Sequence, residues 1–139
     1  MSRKTARRYA FELIFQMPFH KDFDAEYALE SYPEDNLPEI SEAERAFVKE
    51  TLYGVRAHLG LIDKLIAENT EGWSVNRLNS VDLAVLRLAV YEMAFTDTPE
   101  RVSINEAVEL SKMYSGEESG GFVNGILAKA SAHAEAHHA

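Results

Sequence analysis

An all-α domain of about seven helices is what this chain predicts, and three observations carry the prediction. Apolar residues recur at three- and four-residue spacing through nearly every segment. No alternating stretch is long enough to demand a strand. One segment, SVDLAVLRLAVYEMAF, is apolar almost all round, as befits a helix covered on several sides at the centre of a domain. The chain has 139 residues, 46% of them apolar, which is enough for one domain with a real core.

The elements follow in order. In RKTARRYAFELIFQM, Ala6, Ala10, Leu13, Ile14 and Met17 share a stripe, and Pro18 marks the end of this first helix. Asp24 is placed to cap a short second helix, AEYALESY, which Pro33 stops. PEDNLPEI is a Pro-rich acidic loop. Ser41 stands three residues before Glu44, a capping box, with Ile40 as a weak staple before it. The next helix, RAFVKETLYGVRAHL, carries Phe47, Leu52, Val55 and Leu59 on one broad side. Gly60 predicts a bend before LIDKLIAEN. TEGWS is a turn, with Trp73 as a plug over the core.

The all-round apolar helix comes next, and the domain is expected to be built around 81–95. Asp82 lies in its first turn, where an acid suits the helix dipole and a partner could reach it. Arg87 and Glu92 are expected to be paired structural charges at the edge of the core. TDTPER is a loop, and SINEAVELSKMY opens with a second capping box, Ser103 to Glu106. SGEESGG is another loop. FVNGILAKASAHAEA is the last helix, with Phe122, Val123, Ile126 and Leu127 at the spacing of a buried face. Gly120 and Gly121 are expected to turn the chain sharply into it, and Gly125 to mark close helix packing. Residues 1–132 form one domain, and 133–139, with His133, His137 and His138, form a disordered tail.

Several function classes fall away. The chain has no cysteine, so disulfides and Cys-zinc sites are excluded. No run approaches the length of a membrane span, and the basic start lacks the apolar core of a secretory signal, so a cytoplasmic location is expected. No phosphate loop, nucleophile elbow or zinc-protease motif is present. The acids are scattered over helix surfaces, and the histidines lack ligand partners at metal spacing. No enzyme activity, cofactor or metal is therefore expected. What remains is charge asymmetry. Net charge is −9, yet MSRKTARR holds Arg3, Lys4, Arg7 and Arg8 with no acid. The rest of the chain carries ten basic against 23 acidic side chains. Such a basic tip on an acidic body would attract a polyanion locally.

Three blocks, ARRYAFELIFQM, WSVNRLNSVDLAVLRLAVYEM and VSINEAVELSKMYSGEESGGFVNGIL, resemble the NusB family of bacterial transcription antitermination factors in order and spacing. The resemblance spans roughly residues 3–130. It implies two packed helical subdomains and binding of boxA RNA, single-stranded, together with NusE, a small-subunit ribosomal protein. The pair would load onto an RNA polymerase antitermination complex and support ribosomal RNA synthesis. Carried over by position, the arginine-rich start of the first helix corresponds to Arg3, Lys4, Arg7 and Arg8. The RNA-facing segment before the last helix corresponds to Glu118 and Phe122. Many relatives have a basic residue where this chain has Gly121. The NusE-binding face corresponds to Phe15, Asn76 and Asp82. Self-association to a homodimer is compatible with the family. Two other readings stand beside this one: a protein-only scaffold, and a stand-alone targeting domain related to that of RNA cytosine methyltransferases, which would require a catalytic partner chain.

Overall fold

The computed structural model describes residues 3–16, 41–70 and 78–138, with side chains as far as 131. Among the described residues there are six α-helices and no strand. They are α1 (Arg3–Gln16), α2 (Glu42–Ala57), α3 (Leu59–Glu68), α4 (Ser80–Phe95), α5 (Glu100–Tyr114) and α6 (Glu117–His138). The expected helix at AEYALESY, the Ile40 staple and Trp73 lie outside the described residues. The chain forms two compact units, Met1–Ala57 and His58–Ala139.

In the first unit α1 packs on α2. Ala6, Ala10, Leu13 and Ile14 are buried, as their spacing predicts, and Tyr9 and Phe11 join them. Val48, Leu52 and Val55 supply the facing surface of α2. The start of α2 is set by Ser41. Its Oγ accepts from the Glu44 backbone N–H at 3.2 Å and donates to Glu44 Oε1 at 2.6 Å. This variant of the capping box satisfies one of the helix's unpaired N–H groups.

In the second unit α5 and α6 pack on each other and both pack on α4, while α3 packs on α4 and α6. Val85, Leu86, Ile62, Leu65, Ile66, Val123 and Leu127 form its core. The α4 boundaries match the apolar run, and its ends show why. Asn79 caps the N-terminus with Oδ1 accepting from Asp82 N–H at 2.8 Å. Thr96 closes the C-terminus, its Oγ1 donating to Glu92 O at 2.6 Å. Arg87 pairs with Asp63 on α3 through two parallel bonds of 2.9 Å, and Glu92 is buried.

Three expectations are corrected. The break between α2 and α3 falls at His58, and Gly60 lies inside the first turn of α3. Ser103 and Glu106 form no cap, because α5 starts a turn earlier, after Pro99. A proline there lacks only an N–H that the helix start would leave unpaired, and Ser103 is buried instead. Most consequentially, SGEESGG is not a loop. Gly116 alone turns the chain, at φ +112°, with its N–H donating to Ser111 O and Lys112 O at 3.1 Å. Glu117 and Glu118 then occupy the first turn of α6, where acids suit the dipole. Gly120 and Gly121 are helical residues, and the helix runs on to His138.

Candidate nucleic-acid interface

The basic tip is part of α1 and has no acid in its first turn. Positive side chains there oppose the helix dipole, a cost of a few tenths of a kcal/mol each at an exposed site. Arg3, Lys4 and Arg8 are exposed. Arg3 lies over the Phe47 ring at 4.2 Å from its centroid, and Arg8 Nε sits 3.5 Å from Glu12 Oε1 one turn on. Arg7 is different. It is 5% exposed and shares the buried stripe with Ala10 and Ile14. Arg7 is therefore largely withdrawn from the surface that Arg3, Lys4 and Arg8 occupy. The signal was present in the sequence, since positions 7, 10 and 14 have helical spacing. Tyr9, also buried, has its hydroxyl pKa raised, first by burial and against the nearby Arg8 charge.

Phe15, on the last turn of α1, is 47% exposed with its ring 6.3 Å from Phe11. It is an apolar side chain left at the surface, which suits a protein contact. Asn76 lies outside the described residues. Asp82 does not stand at the surface: it is 4% exposed. Its Oδ2 accepts from Asn79 Nδ2 at 3.1 Å and from Ser119 Oγ at 3.4 Å, while Oδ1 is buried with no hydrogen-bond partner among the described residues. Burial raises its pKa above 3.8, against the lowering effect of the Ser119 and Asn79 bonds. Asp82 thus ties the start of α4 to the first turn of α6. No local pattern marks Ser119, which makes that tie, because it lies 37 residues away in a segment with the composition of a loop.

Glu118 and Phe122 lie one turn apart on α6 and both are exposed, Phe122 at 38%. Phe122 borders a surface groove of about 280 Å³, lined by Asn69, Thr70, Gly121, Gly125, Ile126 and Lys129 as well. Gly120, Gly121 and Gly125 have different surroundings. A Cβ on Gly120 would come within 2.7 Å of Lys112 Cε, so this glycine admits the lysine stem of α5. Among the described residues, a Cβ on Gly121 or Gly125 would meet nothing within 4 Å. No described residue packs at Gly125 in the way the expected close packing would have it.

Comparison with known proteins covers the same residues. The NusB family model matches residues 4–132. A transcription antitermination protein NusB of Agathobacter rectalis is 43% identical over 130 residues, 93% of this chain and 98% of that protein. The NusB of Acetivibrio thermocellus is 44% identical over 133 residues, 93% of this chain and 88% of its own length. Among solved structures, T. maritima NusB superposes with a TM-score of 0.82 at 37% identity, covering 95% of this chain and 92% of that one. A structure of the antitermination factors NusB and NusE in complex with dsRNA superposes at 0.80 with 27% identity, covering 94% and 96%. By sequence over nearly its whole length, and by fold, the chain belongs to the NusB family.

Proposed function

We propose that this chain is a transcription antitermination factor that binds boxA RNA together with NusE, in the cytoplasm, and supports ribosomal RNA transcription without catalysing a reaction. The observation that carries this is the match across residues 4–132 to a family with a member solved together with NusE and RNA. The chain's own chemistry supports it. Arg3, Lys4 and Arg8 crowd positive charge at a helix start, where nothing in helix stability favours it. They supply phosphate contacts and salt-sensitive affinity. Phe122 supplies a ring for stacking on an unpaired base, with Glu118 beside it. Arg7 acts by holding α1 in place. Phe15 is the surface residue we assign to NusE, and the acidic body favours encounter with a basic ribosomal protein.

The test is binding of a boxA-containing single-stranded RNA, its duplex form and a scrambled control, each with and without NusE, across a salt series. Selective binding to boxA that strengthens with NusE and weakens with salt is the expected result. Equal weak binding to all three RNAs in every condition would sink the boxA reading and put the protein-only scaffold in its place.

A further inference from the structure

We infer that Asp82 and Ser119 are positioning residues for RNA binding: the hydrogen bond between them fixes how the first turn of α6 sits on α4, and with it the direction in which Glu118 and Phe122 face. This rests on the RNA-binding reading above and deepens it, by assigning what holds the proposed contact residues in place.

Asp82 is the starting point. It forms a reciprocal cap with Asn79, which accepts from Asp82 N–H at 2.8 Å and donates to Asp82 Oδ2 at 3.1 Å. A capping acid does not need burial, and the bond from Ser41 to Glu44 at the start of α2 is exposed. Asp82 is nevertheless 4% exposed. No described charge pairs with it, and its Oδ1 has no hydrogen-bond partner among the described residues. Burying a carboxylate so incompletely matched costs stability. What the buried position adds is one contact, the Ser119 hydroxyl of α6 donating to Oδ2 at 3.4 Å. Capping accounts for the acid, and the tie to α6 accounts for its place inside.

The first turn of a helix is its loosest part, because its N–H groups lack partners inside the helix. In α6 two neighbouring residues hold this turn from two other helices. Ser119 bonds to α4. Gly120 meets α5, where a Cβ would come within 2.7 Å of Lys112 Cε, so the lysine stem lies against the helix. Lys112 Nζ then reaches to 3.7 Å from Glu117 Oε2. That ion pair is exposed and its stem flexible, which leaves the Asp82 bond as the firmer tie. Glu118 directly precedes Ser119, Phe122 follows it by three residues, and both are exposed. Rotation or fraying of this turn would redirect both side chains. A ring stacks on a base over a narrow range of geometry, so its affinity depends on the groups that lock it from behind.

The experiment uses the full chain and measures three things: affinity for the boxA-containing single-stranded RNA at saturating NusE, affinity for NusE without RNA, and melting temperature. The variants are Ser119→Ala, Asp82→Ala and Asp82→Asn, each alone and combined with Phe122→Ala, and binding is read well below the lowest melting temperature. Ser119→Ala should weaken RNA binding about threefold to tenfold, the worth of one hydrogen bond, with the salt dependence unchanged. Asp82→Ala removes the same bond from the other side and should do likewise, which keeps the test available if Ser119→Ala does not fold. Asp82→Asn keeps an acceptor oxygen for Ser119 and should bind RNA like the native chain. In the Phe122→Ala background Ser119→Ala should add no further loss, because it acts through that ring. Native RNA affinity in Ser119→Ala would overturn the positioning role and leave the RNA reading standing. A loss as large with Phe122→Ala as without it would overturn it as well, since Ser119 would then touch RNA itself. A loss in Asp82→Asn equal to that in Asp82→Ala would make the charge the agent, not the bond, and overturn it too. Weaker NusE binding by Asp82→Ala, with native RNA affinity in Ser119→Ala, would put Asp82 on the NusE surface instead. Failure of the native protein to bind any RNA would overturn both this role and the reading beneath it.

Discussion

Helices α1 and α6 both carry proposed RNA contacts, and they do so by opposite means. The start of α1 gathers cations where the helix dipole disfavours them. The start of α6 carries Glu117 and Glu118, which the dipole favours, and has no cation before Lys129. It offers instead a partly exposed ring. Charge acts at a distance and fails in salt; a stacking surface acts on contact and does not. The difference teaches that one ligand can be held by two separable forces, and each prediction below attacks one of them.

The largest effect is expected at Arg7, which sits among the α1 cations in sequence but inside the unit in space. Arg7→Ala should cost about 3 kcal/mol of stability, since it empties a buried site built around a charge. Arg8→Ala, at an exposed site, should stay within about 0.5 kcal/mol. Urea denaturation of the two variants measures the contrast. If Arg7→Ala melts like the native protein yet binds RNA poorly, the side chain belongs to the RNA set and the division within α1 is wrong.

Next come the two modes themselves. Replacing Arg3, Lys4 and Arg8 together with alanine should flatten the slope of log affinity against log salt by about 2, at roughly 0.7 per lost phosphate contact on a single strand. Phe122→Ala should leave that slope unchanged and weaken binding about tenfold to a hundredfold. A salt titration of both variants with the boxA RNA decides. A slope change in Phe122→Ala would mean that the ring acts by positioning a charge.

These regions also differ in how much the sequence disclosed. The α4 helix was legible to its ends, because an apolar run bounded by Asn79 and Thr96 leaves little choice. The Ser41–Glu44 cap was legible because it is local. The opening of α6 was not. Ser and Gly in SGEESGG carry the composition of a loop, yet only Gly116 adopts a left-handed conformation. The acids after it start a helix through the following glycines. The Arg87–Asp63 pair and the Asp82–Ser119 tie span 24 and 37 residues, and no local pattern announces them. Of the proposed site residues, the cations stand out by charge asymmetry and Phe122 by family resemblance, and Arg3, Lys4, Arg8 and Phe122 are exposed. The burial of Arg7 and Asp82 runs against the sequence expectation, because charged residues are usually outside.

Asp82 allows the α4–α6 tie to be tested by pH. Its folded pKa is raised above 3.8, chiefly by burial. A raised carboxyl pKa means the neutral form favours the fold. The stability from this group is therefore fully present below the unfolded value and is lost as pH rises through the folded one. Asp82→Asn, neutral throughout, should be at least as stable as the native chain at pH 7, with its advantage shrinking toward about pH 4. Melting curves across that range give the answer. A variant less stable than native at pH 7 would mean that the hydrogen bonds from Asn79 and Ser119, and the helix dipole, outweigh burial.

The smallest effect sharpens the comparison inside α6 itself. Gly125→Ala should raise stability by up to about 1 kcal/mol, because the added Cβ restricts the unfolded chain and meets none of the described residues in the folded one. Gly120→Ala should gain less, since its Cβ would sit 2.7 Å from Lys112 Cε and the lysine stem must move aside. That stem is flexible, so the change should be near neutral rather than disruptive. Denaturant midpoints for the two variants resolve the order. Gly125→Ala above native and above Gly120→Ala is what the surroundings of the two glycines require. The reverse order would mean that position 125 is already packed in the folded chain.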